Sequence, residues 1–376
     1  MRLMQTPKSM DISITGECNL RCAYCSHFSS AGEVARDLGT GEWLRFFEEL
    51  NRCAVLGVCL SGGEPFRRSD FDEILRGIVR NRMRFSILSN GTLIDEDTAV
   101  SIAATGRCDS IQVSVDGSRP ETHDICRGPG TFQKALEAIR ALRRHNIPVT
   151  ARVTIHKHNV HDLESIARLL LDTLSLPGFS TNAASYMGLC RHNAEHLQLS
   201  VEERSLAMET LLTLAAGHPG RVSASAGPLA EARQWLEMER ARQNRAPGFP
   251  GAGYLRSCGG VFARLAVRAD GVIVPCSQMS HIELGRINRD DLREVWRGHP
   301  ELERLRRRRE VPLGEFSFCR GCEYIPYCRG NCPALAYTIL GEENHPSPDA
   351  CLRRFLESGG RLPREEPVFP AGGETG

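Results

Sequence analysis

The stretch "ITGECNLRCAYCSHF", residues 14–28, sets three cysteines at spacing C-x3-C-x2-C directly after a short apolar run. Cys18, Cys22 and Cys25 fall on one loop, so their sulfurs can converge on one centre. A structural zinc site wants four protein ligands, and His27 is the one further donor close by. Three thiolates on a four-iron cluster would instead leave one iron open to another ligand. Both readings stay open on this stretch alone.

The chain around it has 376 residues, enough for one large α/β domain and a smaller one. Its net charge of +1 gives no global electrostatic case for nucleic acid or an anionic membrane. The basic run Arg306 to Arg309 reads as a solvated helix face. No apolar stretch is long enough to span a bilayer, and the first residues lack the apolar core of a signal peptide, so a cytoplasmic protein is expected. Fifteen cysteines in a reducing compartment point to metal or redox chemistry rather than disulfides. Three lie within residues 18–25 and seven within 258–351, with Cys53, Cys59, Cys108, Cys126 and Cys190 scattered between.

Outward from the cysteine loop, apolar runs alternate with amphipathic segments. Strands are expected at 10–15, 55–63, 83–91, 109–117, 147–155 and 178–188. Helices are expected at 41–52, at 69–82 with Ser69 as cap, at 95–106, 131–146, 161–174 and 200–217. Six β-α repeats predict an α/β fold, a parallel sheet closing into a partial (β/α)6 barrel. Chemistry in such folds gathers at the carboxyl ends of the strands. The cysteine triplet, "SGGEP", "SNG" and "SVDG" follow strands one to four, all on that rim. The expected layout is a barrel over 10–215, a helical connector over 216–257, a cysteine-rich module over 258–355 and a disordered tail over 356–376.

The triplet with Tyr24 before its last cysteine resembles the signature of the radical S-adenosylmethionine (radical SAM) enzymes. The resemblance runs over roughly residues 10–355. It implies a [4Fe–4S] cluster on Cys18, Cys22 and Cys25, whose open iron is chelated by SAM, with Tyr24 near the adenine. Gly62, Gly63 and Glu64 match the motif that contacts the methionine ammonium. A strand-end carbonyl and a carboxylate suit a group that offers only donors. Ser89 and Asn90 match a ribose or carboxylate contact. Ser114 and Arg127 look like further SAM contacts, the arginine suited to bidentate binding of the carboxylate.

From Cys258 the pattern is C-x12-G-x4-C, then C-x2-C-x5-C-x3-C and a last cysteine. Asp270-Gly271 between two apolar runs is a hairpin signal. The spacing is a metal signal, with zinc as the sober alternative. It resembles the SPASM domain of radical SAM maturases, which carries two auxiliary [4Fe–4S] clusters. By position, Cys258, Cys276 and Cys332 would hold the first, and Cys319, Cys322, Cys328 and Cys351 the second. Seven thiols fall one short of eight ligands. Anaerobic sulfatase maturases have a further cysteine between the first two and an aspartate where this chain has Ser277, so sulfatase maturation does not fit.

"CAYCSHFSSAG" (22–32) and "CRGCEYIPYCRGNCPALAYT" (319–338) look most like radical SAM/SPASM members of SynChlorMet-type peptide-modification cassettes. The resemblance implies an oxidoreductase that cleaves SAM to a 5′-deoxyadenosyl radical and cross-links or dehydrogenates a ribosomally made peptide. A flavodoxin- or ferredoxin-type reductant is implied as partner. With strand one starting near residue 10 there is no room for a leader-recognition domain, so a separate leader-peptide-binding protein is a further expected partner. The alternatives are a radical SAM enzyme on a small cofactor precursor and a non-catalytic iron–sulfur electron carrier or scaffold. His156, His158, Asn182, Tyr186 and Cys190 sit near the ends of strands five and six and are candidates to line the substrate cavity. Cys190 is the candidate proton or hydrogen donor, and the candidate to reach across as the missing cluster ligand.

Overall fold

The computed structural model describes residues 3–27 and 37–364. Seven strands run in chain order: β1 (Ser9–Thr15), β2 (Gly57–Gly62), β3 (Arg84–Ser89), β4 (Cys108–Ser114), β5 (Val149–Ile155), β6 (Phe179–Ala183) and β7 (Val222–Ala224). Three more follow, β8 (Arg264–Val267), β9 (Val272–Val274) and β10 (Gly285–Arg286). The helices are α1 (Thr40–Arg52), α2 (Phe71–Arg80), α3 (Glu96–Ala104), α4 (Pro120–Arg127), α5 (Thr131–Arg144), α6 (Leu163–Ala167), α7 (Gly188–His192), α8 (Ala194–Leu197), α9 (Val201–Gly217), α10 (Pro228–Gln243), α11 (Leu292–Gly298), α12 (Pro300–Arg307), α13 (Pro333–Leu340) and α14 (Leu352–Glu357).

Strands β1 to β7 are parallel neighbours in sequence order, as right-handed βαβ crossovers dictate. The six expected strands are therefore present. Helices cover the sheet because their apolar faces need burial: Trp43, Phe46, Phe47 and Leu50 of α1, and Ile74, Leu75 and Ile78 of α2, are all buried. Their partners in the core include Met10, Ile12 and Ile14 of β1 and Leu60 of β2, with no exposure at all.

The expected boundaries shift in several places. Helix α2 begins at Phe71, with Asp70 rather than Ser69 at its cap position, and Arg68 grips the Asp70 carboxylate through Nε at 2.8 Å. The single helix expected over 161–174 is a 3-10 turn (Val160–Asp162), then α6, then a π-helical turn (Arg168–Thr173). The stretch read as connector contributes β7 to the sheet and α10, which packs on α9.

More consequentially, the cysteine-rich half shares the sheet. Strand β8 pairs parallel to β1, Ser9 opposite Arg264 and Ile12 opposite Val267. The Asp270-Gly271 turn then returns β9 antiparallel, with Gly271 at φ +85°. Of the expected tail, residues 356–364 are described: Leu362 packs on the core and Arg361 N donates to Ser205 Oγ at 3.0 Å. Residues 365–376, like 28–36, lie outside the described residues.

Candidate active site and iron–sulfur centres

The cysteine loop leaves the end of β1 and is pinned from several sides. Gly16 N donates to Asp37 Oδ1 at 2.7 Å, and Arg68 Nη1 to Ile14 O at 2.8 Å. Ala23 N donates to Cys126 O at 2.8 Å, Leu189 N to Cys25 O at 2.9 Å and Asn193 Nδ2 to Ala23 O at 2.9 Å. Thus α4 and α7 back the loop. Neither was foreseen, because both are short, eight and five residues, with no repeating apolar face to read. His27 lines the same cavity, with Nε2 3.3 Å from Gly16 O.

The end of β2 lies against this loop at the closest approach in the site. Gly63 N donates to Thr15 O (2.9 Å) and Glu64 N to Glu17 O (2.8 Å). A Cβ on Gly63 would stand 2.0 Å from Glu17 O, and one on Gly62, at φ +135°, 2.1 Å from Thr15 O. The two glycines are thus required by backbone contact. They carry Glu64 inward, 1 % exposed, where Oε1 accepts from Ser89 Oγ and Oε2 from Asn90 N, both at 2.8 Å. Burial raises this carboxyl to about 7, against those hydrogen bonds. Asn90 Nδ2 donates to Asn19 Oδ1 at 3.0 Å, tying β3 to the cysteine loop.

Across the cavity, Asp116 is the hub. It is fully buried; Tyr24 Oη and Arg127 Nε both donate to its Oδ2, and Thr154 N donates to Oδ1 at 2.7 Å. Burial would raise its carboxyl, but Arg127 and the neighbouring histidines hold it below the usual range. Arg127 stands over the Tyr24 ring at 5.4 Å, and His156 stacks on that ring at 5.6 Å. Sequence reasoning passed over Asp116. The signal was available: it follows Ser114 by two residues, the strand period that puts both on one face.

Between these pieces, at the carboxyl rim, lies one cavity of about 270 Å3. Cys18, Cys22, Cys25, Tyr24, Gly62, Gly63, Glu64, Ser89, Asn90, Ser114 and Arg127 are brought together in it. Asn182 also lines it, with a buried Oδ1 that has no partner, and Gln278 enters from the cysteine-rich half. The donor set suits an open-sided iron cluster with a zwitterionic ligand: three thiols, a buried carboxylate for an ammonium and an arginine for a carboxylate.

Cys190 does not join them. It is wholly buried on α7 against Cys126 and Leu197, behind Tyr24, and burial pushes its thiol up to about 11. It reaches neither the cavity nor the cysteine-rich module, so both roles expected for it are withdrawn. His156 is likewise buried and Tyr186 sits under Arg191, neither lining the cavity.

In the second half the thiols fall into two electrostatic neighbourhoods. Cys276 feels Cys258 and Cys332; Cys319 feels Cys328, Cys351 and Cys322. One sulfur in each of the three groups accepts a backbone N–H two residues on: Cys18 from Leu20, Cys258 from Gly260 and Cys328 from Gly330, at 3.3–3.4 Å. Such bonds stabilise thiolates that ligate iron. Cys319, Cys322, Cys328 and Cys351 line a small cavity of their own.

The basic run departs from expectation. Arg307 and Arg309 are exposed, but Arg306 is 4 % exposed and Arg308 not at all. Arg306 lies over Trp296 at 4.7 Å, and its Nε donates to Val261 O at 3.0 Å. The run is half a solvated face and half a buried brace, an alternation that charge counting cannot reveal.

Comparison with known proteins bears on this arrangement. The radical SAM superfamily model matches residues 12–170, and that of the SPASM iron-sulfur cluster-binding domain residues 258–323. The chain carries a radical SAM domain and a SPASM domain. It is 26% identical over 360 residues to the PqqA peptide cyclase of Granulibacter bethesdensis, covering 94% of this chain and 89% of that one. It is 25% identical over 356 residues to the AdoMet-dependent heme synthase of Methanosarcina barkeri, covering 94% and 98%. Streptococcus suis SuiB, solved with its precursor peptide SuiA, shares the fold at a TM-score of 0.70 and 15% identity, over 93% of this chain and 77% of that one. Among the described residues, no helix of this chain is long and apolar enough to cross a membrane.

Proposed function

We propose that this protein is a radical SAM maturase that cross-links or dehydrogenates a ribosomally made peptide. The observation that carries the reading is the shared cavity, where every residue of the SAM-binding resemblance meets a residue of the SPASM half, Gln278. Similarity to a peptide cyclase over 94% of the chain supports a peptide as substrate. Cys18, Cys22 and Cys25 would hold the SAM-binding cluster. Cys258, Cys276 and Cys332 would hold one auxiliary cluster, and Cys319, Cys322, Cys328 and Cys351 the other. When bound, the reduced cluster supplies the electron that splits SAM into methionine and a 5′-deoxyadenosyl radical, which takes hydrogen from the substrate.

The chain's own residues bind and orient. Glu64, held by Ser89 and Asn90, would meet the ammonium of SAM, and Arg127, steadied by Asp116, its carboxylate; Tyr24 would pack near the adenine and Ser114 would add a further contact. A flavodoxin- or ferredoxin-type protein would deliver the electron, and a separate protein would present the leader peptide. A cytoplasmic location suits both partners and the reduced clusters.

A second reading has its own support. The haem synthase relative, covered over 98% of its length, acts on no peptide by name, so a small cofactor precursor is the competing substrate class. The test is anaerobic incubation of reconstituted protein with SAM, dithionite and peptides encoded beside its gene. Formation of 5′-deoxyadenosine with a peptide about 2 Da lighter is expected. Replacing Cys18, Cys22 and Cys25 together by Ala should abolish both products. Turnover only with a small precursor would overturn the peptide reading, and no 5′-deoxyadenosine under any condition would overturn the enzyme.

A further inference from the structure

Arg308 is among the largest side chains in the protein with no exposed surface. Its described hydrogen bonds go to backbone carbonyls, Nη1 to Arg256 O and Nη2 to His345 O at 3.3 Å, and its Nε has no partner. No carboxylate among the described residues forms an ion pair with it. Glu343, the nearest acid to influence it, is spent on His281 and Arg304. A buried guanidinium without a counter-charge is costly to hold.

What surrounds it is the first auxiliary set. Arg256, which accepts from Arg308, precedes Cys258 by two residues. Ser257, next to Cys258, is clamped between Arg306 O (2.6 Å) and Arg309 N (3.2 Å). His345 lies on the loop whose Ser347 N donates to Gly330 O at 3.0 Å, two residues before Cys332. The groups that attract the guanidinium most are Cys332 and Cys258. Burial lowers it to about 10 even with those thiols opposing the shift.

We propose that Arg308 is the buried counter-cation of the iron–sulfur centre held by Cys258, Cys276 and Cys332, and that it sets that centre's reduction potential. The inference rests on those thiols holding a cluster, but not on the substrate being a peptide. Thiolates and cluster bring net negative charge, and one more unit arrives when the centre accepts an electron. A fixed positive charge beside it in a low-dielectric site stabilises the reduced form most. This centre is the set with three thiols rather than four, so less of its environment is thiolate. Arg308 is a positioning residue here, acting through the cluster on the electron it can take.

The test compares wild type, Arg308→Lys and Arg308→Gln as full-length anaerobic proteins. Iron and sulfide per chain in the wild type test the cluster itself, independently of Arg308. An EPR-monitored titration then reads the auxiliary midpoint potentials. Arg308→Gln should lower the reduced-to-oxidised ratio of one auxiliary signal about tenfold at fixed potential, about 59 mV for a one-electron couple, and Arg308→Lys should restore most of it. Loss of one cluster's iron in Arg308→Gln but not in Arg308→Lys would support the same conclusion. The cluster-free proteins supply the control: without its anion the arginine is a liability, so cluster-free Arg308→Gln should melt no lower than cluster-free wild type. Unchanged potentials in fully loaded Arg308→Gln would overturn the proposal. So would equal shifts in both variants, or a cluster-free Arg308→Gln that fails to fold, since each marks a structural strut rather than a charge.

Discussion

Gly63→Ala isolates the contact on which the candidate active site is built. The backbone at Gly63 is not in the left-handed region, so alanine brings no conformational penalty, only a methyl group. That methyl would stand 2.0 Å from Glu17 O and 2.9 Å from Cys18 N, where 3.0 Å is the nearest a real Cβ comes to anything. The end of β2 and the cysteine loop must part by about 1 Å, and both neighbours are backbone, not a side chain able to swing away. The two hydrogen bonds across the contact, Gly63 to Thr15 and Glu64 to Glu17, are strained or lost at about 1 kcal/mol each. Overpacking adds about 1–3 kcal/mol. A local penalty of about 3–5 kcal/mol is below the usual stability of a domain, so the sheet should survive while the cysteine loop is displaced. Anaerobic reconstitution should therefore give a folded protein that loses the iron of one cluster and binds SAM at least tenfold more weakly by equilibrium dialysis. Gly217→Ala, at the end of α9 with no atom within 4 Å of the new Cβ, is the matched control and should be neutral or slightly stabilising. Wild-type iron content and SAM affinity in Gly63→Ala would refute the claim that this contact shapes the site.

Other outcomes follow from the same geometry. Glu64, raised to about 7 in the free protein, is largely protonated below that pH and must ionise to meet an ammonium. SAM affinity should thus climb from pH 6 to 8 and level off, while in Glu64→Gln it should be roughly 10–100-fold weaker and flat with pH; a sloping profile in the variant would reject the assignment. The same raised value means Glu64 favours the ligand-free fold below about 4.5 and that this contribution is lost as pH rises through about 7. Asp116→Asn removes the charge holding Tyr24 and Arg127, and should lower both SAM affinity and thermal stability, read by dialysis and melting. Cys190→Ala should cost about 1 kcal/mol of packing yet leave 5′-deoxyadenosine formation at the wild-type rate; a lost rate with cluster content intact would restore it to the chemistry.

Much of the fold was legible because its signals are local. Strands β1 to β4 are short apolar runs ending at a glycine, and the helices between them carry wide apolar faces. Glu64 could be found because two glycines announce it. Asp116 offered only its place two residues after Ser114, since its full importance lies in partners from other segments, at Tyr24, Arg127, Thr154 and Asn159. The buried half of the Arg306–Arg309 run was invisible for a related reason: whether an arginine faces solvent depends on what packs over the helix, here the Cys258 strap. The pairing of β8 with β1 joins residues some 255 positions apart, beyond the reach of periodicity.

That pairing has a consequence for anyone wishing to rebuild the protein. A module attached by a linker can be cut away or exchanged; one whose strand is laced into its neighbour's sheet cannot. Deleting everything after residue 257 would strip β1 of a partner along Ser9–Ile12 and expose a row of unpaired amides beside the cysteine loop, an open invitation to intermolecular pairing. Chimaeras that trade C-terminal halves between relatives should therefore place the junction inside α10 and carry β8 as part of the graft, so that the spacing between metal centres is inherited through backbone rather than left to chance.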